Sequence, residues 1–252
     1  MELRTPEEIN IMAEGGRRLG AVLLRLRDEV RPGVTTLELD RAARAIIVDG
    51  GDTPAFLNYR PEGARRAYPY TLCASVNNVV VHGQPSTYAL REGDIIKLDL
   101  GLKHKGFYLD AAITVGVGYI SAEAKKLIAV TEESLYAGIK EAKPGKTLGD
   151  IGYAIEKVVR KNRFSVAEGL TGHGIGRALH EEPTVFNFGD RSTGMKLAPG
   201  MVIAIEPMVN MGGPATRLLE DKWTAVTEDG SYSAHFEHCI AVTKNGPVIL
   251  TE

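Results

Sequence analysis

The chain has 252 residues, 44% of them hydrophobic and 25% charged, with a formal net charge of −2. This composition is ordinary for a soluble globular protein, and so small a net charge gives no strong attraction to nucleic acid or anionic lipid. The first ten residues, MELRTPEEIN, lack the apolar core of a signal peptide. No apolar run approaches the roughly 20 residues that a membrane-spanning helix needs. The two cysteines cannot form a disulfide framework, so a cytoplasmic protein is predicted.

Helix signals come in two pairs. Residues 5–8, TPEE, form a capping box with proline at the first helical position, and apolar residues then recur at helical spacing until Arg31-Pro32-Gly33. A second helix is predicted from Thr35 to Val48, before a pair of glycines. A later helical stretch, 121–160, is broken by Lys143-Pro144-Gly145.

Strand signals begin at about residue 72. Short segments rich in β-branched residues and bounded by glycine or charged turns predict strands. These segments are 94–102, 106–117, 201–209, 223–228 and 235–243.

The chain repeats part of its own pattern. The two Pro-Gly turns each stand between two helices and are followed by threonine, and residues 90–99 resemble residues 197–206 at a constant offset. We therefore predict a single domain of two pseudo-symmetric halves, about 1–118 and 119–252. With their helices on one side, such halves form an α+β layer around one antiparallel sheet. Chance similarity between short segments is the alternative.

Four carboxylates lie within segments that are otherwise typical of buried strands. The repeat makes Asp99 and Glu206 equivalent, while Asp110 lies on the strand that follows Asp99 and Glu237 lies on a late predicted strand. A buried carboxylate without a partner is costly. A salt bridge or a capped turn explains a single such acid, but Lys97 is one of few cations on these strands.

A pair of divalent cations accounts for all four acids. Oxygen ligands suit Mn, Fe, Co or Zn, and His173 in the glycine-rich segment GHGIG (172–176) adds a nitrogen ligand. We interpret GHGIG as a ligand loop. Two such ions activate a water molecule and polarise a carbonyl or phosphoryl oxygen.

Other catalytic motifs are absent from the sequence. His180-Glu181-Glu182-Pro183 is not HExxH, because Thr184 stands where the second histidine belongs. GxGxxG, a complete P-loop, GxSxG and CxxC are also missing. These absences argue against dinucleotide enzymes, phosphate-loop NTPases, serine hydrolases and thiol redox proteins.

Nearly the whole chain resembles the type I methionine aminopeptidases. The resemblance is carried by five segments in this order: VVVHG at 79–83, DIIKLDLGLKHKGFYLDAAIT at 94–114, GHGIGRALHEEP at 172–183, MVIAIEPMVN at 201–210 and SAHFEHCIAVT at 233–243. It implies the pita-bread fold, in which two related halves surround a dinuclear metal site. It also implies removal of N-terminal methionine from nascent proteins and peptides with a small second residue.

The resemblance assigns roles residue by residue. The implied metal ligands are Asp99, Asp110, His173, Glu206 and Glu237. Asp110 and Glu237 would bridge two divalent ions, and Glu206 would also serve as the acid–base group for a bridging water that attacks the first peptide carbonyl. One ion would hold the free amine of the substrate. The catalytic histidines His82 and His180 would contact the substrate backbone, although a core histidine is the alternative for His82.

The resemblance also implies a pocket for the methionine side chain. Its residues would be Tyr59, Tyr68, Cys73, Leu179 and Trp223, with ordinary core packing as the alternative for Cys73 and Trp223. The sequence departs from the family where Leu179 replaces a frequent phenylalanine, where Asn78 replaces a glutamate, and in a long segment at 60–71. We expect Tyr68 from that segment to replace the missing ring in part.

Three related functions are the alternatives to this interpretation. Prolidases and aminopeptidase P, which cleave X-Pro bonds, carry an additional N-terminal domain, and type II methionine enzymes need an insertion for which Glu206 and Glu237 are too close. A non-catalytic relative that binds protein or RNA would have lost ligands, and all five are present. The identity of the two ions (Co, Mn, Fe or Zn) stays open. Expected partners are peptide substrates and the ribosome near its exit tunnel, with no membrane and a monomeric state.

Overall fold

The computed structural model describes residues 2–61, 63 and 65–252. Within that range lie four helices: α1 Pro6–Glu29, α2 Thr36–Asp49, α3 Ala122–Glu141 and α4 Leu148–Lys161. The described strands are β1 Thr53–Pro54, β2 Leu72–Val76, β3 Val79–Val81, β4 Ile95–His104, β5 Phe107–Gly116, β6 Ser165–Val166, β7 Gly172–Gly174, β8 Glu181–Val185, β9 Val202–Ile205, β10 Met208–Asn210, β11 Thr216–Leu218, β12 Ala225–Thr227, β13 Ser233–His235, β14 Glu237–Thr243 and β15 Gly246–Ile249.

The predicted helix starts are confirmed by their caps. At α1 the side chain of Thr5 accepts a hydrogen bond from the Glu8 amide, and the Glu8 carboxylate accepts one from the Thr5 amide. Thr35 begins α2 and Thr147 begins α4 with the same reciprocal pattern. These side chains satisfy amide groups that the first turn of a helix leaves unpaired, so the helix starts are encoded locally.

The strands form one large antiparallel sheet. In the described residues its main path runs β1-β4-β5-β14-β9-β7-β8, with β2 added beside β4 and β15 beside β14. Two smaller three-stranded sheets, β13-β10-β6 and β11-β12-β3, lie next to it. The predicted α+β class with a central antiparallel sheet is therefore confirmed.

Two predicted strands are interrupted. The segment 201–209 divides into β9 and β10, with Glu206 and Pro207 between them, and residues 235–243 divide at Phe236. Proline has no amide hydrogen for a strand ladder, so the break at Pro207 has a local cause. The segment interpreted as a ligand loop is also different, because residues 172–174 form the short strand β7.

The helices cover one face of the central sheet. Gly15 of α1 lies against Leu109 and His104 of the β4–β5 hairpin, and the apolar core there includes Leu98 and Leu100. Side chains alternate across a strand, so Asp99 and Asp110 point to the opposite face, away from α1.

The domain prediction stays a prediction, although the two helix pairs follow the predicted order. Each pair has a similar bridge beside its second helix, Thr35 with Ala89 and Thr147 with Lys196. Two residues of the long segment 60–71, at positions 62 and 64, lie outside the described residues. No helix in the described part of the chain is long and apolar enough to cross a membrane.

Candidate dinuclear metal centre and active site

Strand register brings the predicted acidic ligands together. Asp99 of β4 stands opposite Ala112 of β5, and Ala112 stands opposite Glu237 of β14. Residues opposite each other in an antiparallel pair lie on the same face. Asp110, two residues before Ala112, shares that face. The small side chain of Ala112 therefore leaves space between three carboxylates.

The other two predicted ligands come from β7 and β9, which lie beyond β14 in the sheet order. His173 of β7 pairs with Ala204 of β9, and Glu206 follows that strand by one residue. Nε2 of His173 lies 3.5 Å from Oε1 of Glu206. Nδ1 of His173 lies 2.8 Å from the carbonyl oxygen of Gly174, a contact that directs Nε2 toward the carboxylates. Such outer hydrogen bonds commonly orient histidine ligands.

Close contacts between strands explain two of the glycines around His173. A Cβ atom on Gly172 would overlap the carbonyl oxygen of Ala204, and one on Gly174 would overlap the carbonyl of Glu182. Glycine is needed here because β9 and β8 approach β7 closely on both sides. The glycines therefore position His173 by allowing β8 and β9 to pack closely against β7. This differs from the ligand loop expected from the sequence.

The carboxylates have the properties of a cation site. Asp99, Asp110 and Glu237 are 7%, 4% and 2% exposed, and each has one carboxylate oxygen with no hydrogen-bond partner in the described residues. Burial raises the pKa of Asp110 to about 7. Burial, and then the neighbouring acids, raises the pKa of Asp99, Glu206 and Glu237 well above the ordinary value. Buried, unpaired and mutually repelling acids are what divalent cations stabilise.

The donor atoms form two overlapping groups within the described part of the chain. In each group the ligand atoms lie within 4.8 Å of one another: Asp110, His173 and Glu237 in one, and Glu206, His235 and Glu237 in the other. Glu237 belongs to both groups, as a bridging ligand would. All five predicted ligands line one cavity, and the residues present fit divalent metal binding.

His235 was missed by the sequence interpretation. Its ring is 1% exposed, Nε2 lies 3.6 Å from Oε2 of Glu206, and neither ring nitrogen has a hydrogen-bond partner among the described residues. Burial lowers its pKa to about 3. The spacing His235-x-Glu237 was the available signal, since alternate residues of an extended segment share a face.

Lys97 does not pair with the acids. Its side chain is fully buried, and Nζ donates to the carbonyl oxygens of Asn77 and Ser233 at 2.7 and 2.9 Å. Lys97 therefore joins the β2–β3 turn to β13 and does not neutralise the carboxylates. This leaves the buried acids without a lysine counter-charge.

Two further histidines border the carboxylates. His82 follows β3 with φ of 57°, a left-handed conformation that is uncommon outside glycine. Burial lowers the pKa of His82 to about 4, so this ring is neutral at pH 7. His180 lies with its ring centroid 4.3 Å from that of His173. The structure therefore brings both predicted catalytic histidines to the ligand cluster.

A small cavity joins the cluster to the predicted methionine pocket. It has a volume of about 150 Å³. Its lining includes all of the predicted site residues, namely Tyr59, Tyr68, Cys73, His82, Asp99, Asp110, His173, Leu179, His180, Glu206, Trp223 and Glu237. Cys73 reaches it because β2 places that residue opposite Asp99. The rings of Tyr68 and Trp223 meet edge to face, with centroids 5.3 Å apart.

A second, more open cavity of about 490 Å³ adjoins the first. The two share His82, His173, His180 and Glu206, and the second continues along Leu170 and Met208. The carboxylate cluster thus lies between a small, mainly apolar pocket and a larger, somewhat more open groove. That arrangement suits a chain end whose first side chain is buried while the rest extends outward.

Comparisons with known proteins agree with this geometry. The sequence profile of metallopeptidase family M24 matches residues 10–244. The chain belongs to this family. It is 49% identical to a methionine aminopeptidase of Clostridium perfringens, over 99% of this chain and 98% of the relative. It is 45% identical to methionine aminopeptidase 1 of Bacillus subtilis, over 98% of each chain.

Solved structures give the same result for the fold. A methionine aminopeptidase from Rickettsia prowazekii superposes with a TM-score of 0.96, at 38% identity and with all of both chains covered. An Xaa-Pro dipeptidase from Bacillus anthracis reaches 0.78 at 22% identity, and this chain covers 62% of it. The predicted pita-bread fold is confirmed, and the dipeptidase shares that fold alone.

Proposed function

We propose that the protein is a metal-dependent exopeptidase that removes N-terminal methionine from peptides. The sequence motifs predict this activity. The match to metallopeptidase family M24 and the full-length similarity to relatives named methionine aminopeptidase confirm it. The decisive observation is that five donor residues, distant from one another in sequence, line one cavity. Three of them, Asp99, Asp110 and Glu237, each have a buried carboxylate oxygen with no hydrogen-bond partner among the described residues.

Two divalent ions are the proposed cofactors, held by Asp99, Asp110, His173, Glu206 and Glu237. Bound divalent ions would supply Lewis-acid chemistry, by polarising the peptide carbonyl and by making the attacking water more acidic. Which metal is used stays open among Co, Mn, Fe and Zn. His235 is placed to contact Glu206 from the side opposite His173.

The remaining steps belong to side chains of this protein. Glu206 would accept the proton of the attacking water and return it to the leaving amine, because its carboxylate borders both cavities. His82 and His180 would hydrogen-bond the peptide backbone as charge develops on its oxygen. Tyr68, Leu179 and Trp223 would enclose the methionine side chain, for which soft thioether–aromatic contacts are favourable.

The test is hydrolysis of Met-Ala-Ser against Ala-Pro and Met-Pro-Ser, after chelation and after readdition of Mn or Co. We expect cleavage of Met-Ala-Ser and no cleavage of Ala-Pro, with loss of the activity on chelation and its return with metal. Glu206→Gln should be nearly inactive, whereas Glu228→Gln on the exposed surface should match the parent protein. Preferential cleavage of Ala-Pro would favour the prolidase function, and full activity in verified metal-free protein would exclude the metal mechanism.

The cellular setting is a further part of the proposal. Nascent chains in the cytoplasm would be the natural substrates, met near the ribosomal exit tunnel by a monomeric enzyme. Co-sedimentation with ribosomes and analytical ultracentrifugation test these points. A stable dimer, or no ribosome binding at physiological salt, would contradict them.

A further inference from the structure

The turn that carries His180 is closed at its base by one carboxylate. Oε1 of Glu181 accepts a hydrogen bond from the amide of Ala178 at 2.9 Å. Oε2 of the same group accepts one from Nη2 of Arg4 at 2.5 Å. His180 lies between the two ends of this closure, so the position of its backbone depends on the Glu181 carboxylate.

Arg4 comes from the segment before α1, far from the turn in sequence. Its side chain is 1% exposed, and its amide donates to the carbonyl oxygen of Gly200 at 2.7 Å. A Cβ atom on Gly176 would overlap the guanidinium group. The third glycine of GHGIG therefore leaves space for the Arg4 guanidinium, which lies directly against the backbone there.

This contact is built into the fold. A guanidinium group that loses its solvent shell needs a charged partner to remain buried, and Glu181 supplies one, with Glu2 as an exposed second acceptor. Arg4, near the start of the chain, thereby reaches the turn that carries His180. Its side chain does not line either of the two cavities that border the carboxylate cluster.

We propose that Arg4 is a positioning residue for His180, acting through the Glu181 carboxylate. The inference rests on the proposed contact between His180 and the substrate. With Arg4 in place, Glu181 holds both ends of the turn, and Tyr59 holds the ring at Nδ1. Without Arg4 the carboxylate loses one of its two described contacts, and the turn can shift by the small distance that matters for hydrogen bonding in catalysis.

The same turn offers a matched control. Arg177 is also an arginine paired with a glutamate, because Nη2 lies 2.7 Å from Oε1 of Glu8. However, its side chain is 54% exposed, it covers the ring of Phe107, and its pair does not reach the Glu181 carboxylate. Removing Arg177 perturbs the turn surface and leaves the closure around His180 intact.

The experiment compares Arg4→Met, Arg4→Lys, Glu181→Gln and Arg177→Met. Steady-state hydrolysis of Met-Ala-Ser gives kcat and KM, calorimetry gives Mn affinity, and ¹⁵N-histidine NMR reports the six imidazoles. We expect Arg4→Met to lower kcat by about tenfold or more, with Mn affinity within twofold of the parent. The His180 signals should move, while those of His104 and His238 stay. Arg177→Met should remain within twofold, and Arg4→Lys should recover part of kcat.

Several outcomes overturn the inference. Unchanged kcat and unmoved His180 signals in Arg4→Met would remove the positioning role, as would equal effects of Arg4→Met and Arg177→Met. If Arg4→Met folds poorly, Glu181→Gln tests the same contact through the His180 signals, because Glu181 borders the open cavity and its kcat alone would not separate the two roles. Unmoved His180 signals in Glu181→Gln, or additive effects of the two changes in a double mutant, would contradict a shared pathway. His180→Ala tests the premise that His180 contacts the substrate. If this variant retains full activity, the proposed role of His180 fails, and not the link from Arg4 to the turn.

Discussion

The hydroxyl group of Tyr59 lies 2.6 Å from Nδ1 of His180. Burial raises the pKa of this phenol, so it remains protonated and can donate to the ring. A neutral imidazole that accepts at Nδ1 carries its proton on Nε2. When Tyr59 donates this hydrogen bond, it selects the tautomer in which Nε2 of His180 can donate to a peptide oxygen.

Replacing Tyr59 with phenylalanine tests this selection. We expect kcat to fall about tenfold, because the ring and its packing remain while the tautomer and orientation are no longer fixed. Tyr119→Phe is the control, since Tyr119 is 75% exposed. Peptide hydrolysis measures the effect, and equal rates in both variants would show that the hydroxyl group has no role in orienting His180.

His82→Ala should lower kcat by about 10²–10³ and leave the metal content close to that of the parent, because a lost transition-state hydrogen bond acts on turnover. His238→Gln serves as the control. That residue stands opposite Ala111 on the helix-covered face, and its Nδ1 lies 2.8 Å from the hydroxyl of Thr251. Metal analysis alongside kinetics decides the role: a loss of metal proportional to the loss of activity would make His82 a ligand.

The shape of the methionine pocket depends on Leu179 and Tyr68. The hydroxyl of Tyr68 donates toward the carbonyl oxygens of Leu72 and Gly83 at 3.1 and 3.0 Å, so its ring is fixed as a wall beside Trp223. We expect norleucine peptides to be cleaved, because norleucine keeps the unbranched length of methionine, and peptides with the branched leucine side chain to be poor substrates.

Leu179→Phe should narrow this pocket and reduce kcat/KM for leucine peptides more than for methionine peptides. Tyr68→Phe, which keeps the ring, should leave the ratio unchanged. Tyr68→Ala should relax the preference, although loss of so large a buried side chain costs about 3–5 kcal/mol of stability. Unchanged ratios in Leu179→Phe and a folded Tyr68→Ala would place both residues outside the pocket wall.

Stability of the metal-free protein should decrease as pH rises above about 6.5. Burial raises the pKa of Asp110 from 3.8 to about 7, and the other three acids shift in the same direction. Above about pH 6.5 the folded chain therefore binds more protons than the unfolded chain through these acids, so the free energy of unfolding falls with pH. At lower pH the buried histidines act in the opposite direction, because burial lowers the pKa of His82 and His180 to about 4 and that of His173 and His235 to about 3, from an ordinary value of 6.5. The slope is about 1.4 kcal/mol per pH unit for each extra proton.

Urea unfolding of chelated protein at pH 5, 6, 7 and 8 measures this slope. With Mn or Co bound, the charge of the ions offsets the repulsion, so stability should no longer fall across that range. Stability of the metal-free protein that is constant or rises between pH 7 and pH 8, where the histidines are neutral in both states, would contradict the assignment of the four carboxylates as one buried cluster.

The sequence by itself determined the local structure. The capping boxes at Thr5, Thr35 and Thr147 need only residues three positions apart, and the alternation around Asp99 and Asp110 needs only a strand. Motif order was also sufficient for the family and for a set of site residues that the fold gathers around one cavity. These signals are contained in short stretches, so they survive without knowledge of the fold.

Contacts between distant segments were decided only by the tertiary structure. Lys97 has carbonyl partners at Asn77 and Ser233, His235 reaches Glu206, and Arg4 reaches Glu181 across 177 positions. Spacing cannot predict such pairs, because sheet register and helix packing bring them together. The strand break at Glu206 shows the same limit: proline explains where the strand ends, but only the packed sheet directs that carboxylate toward His173.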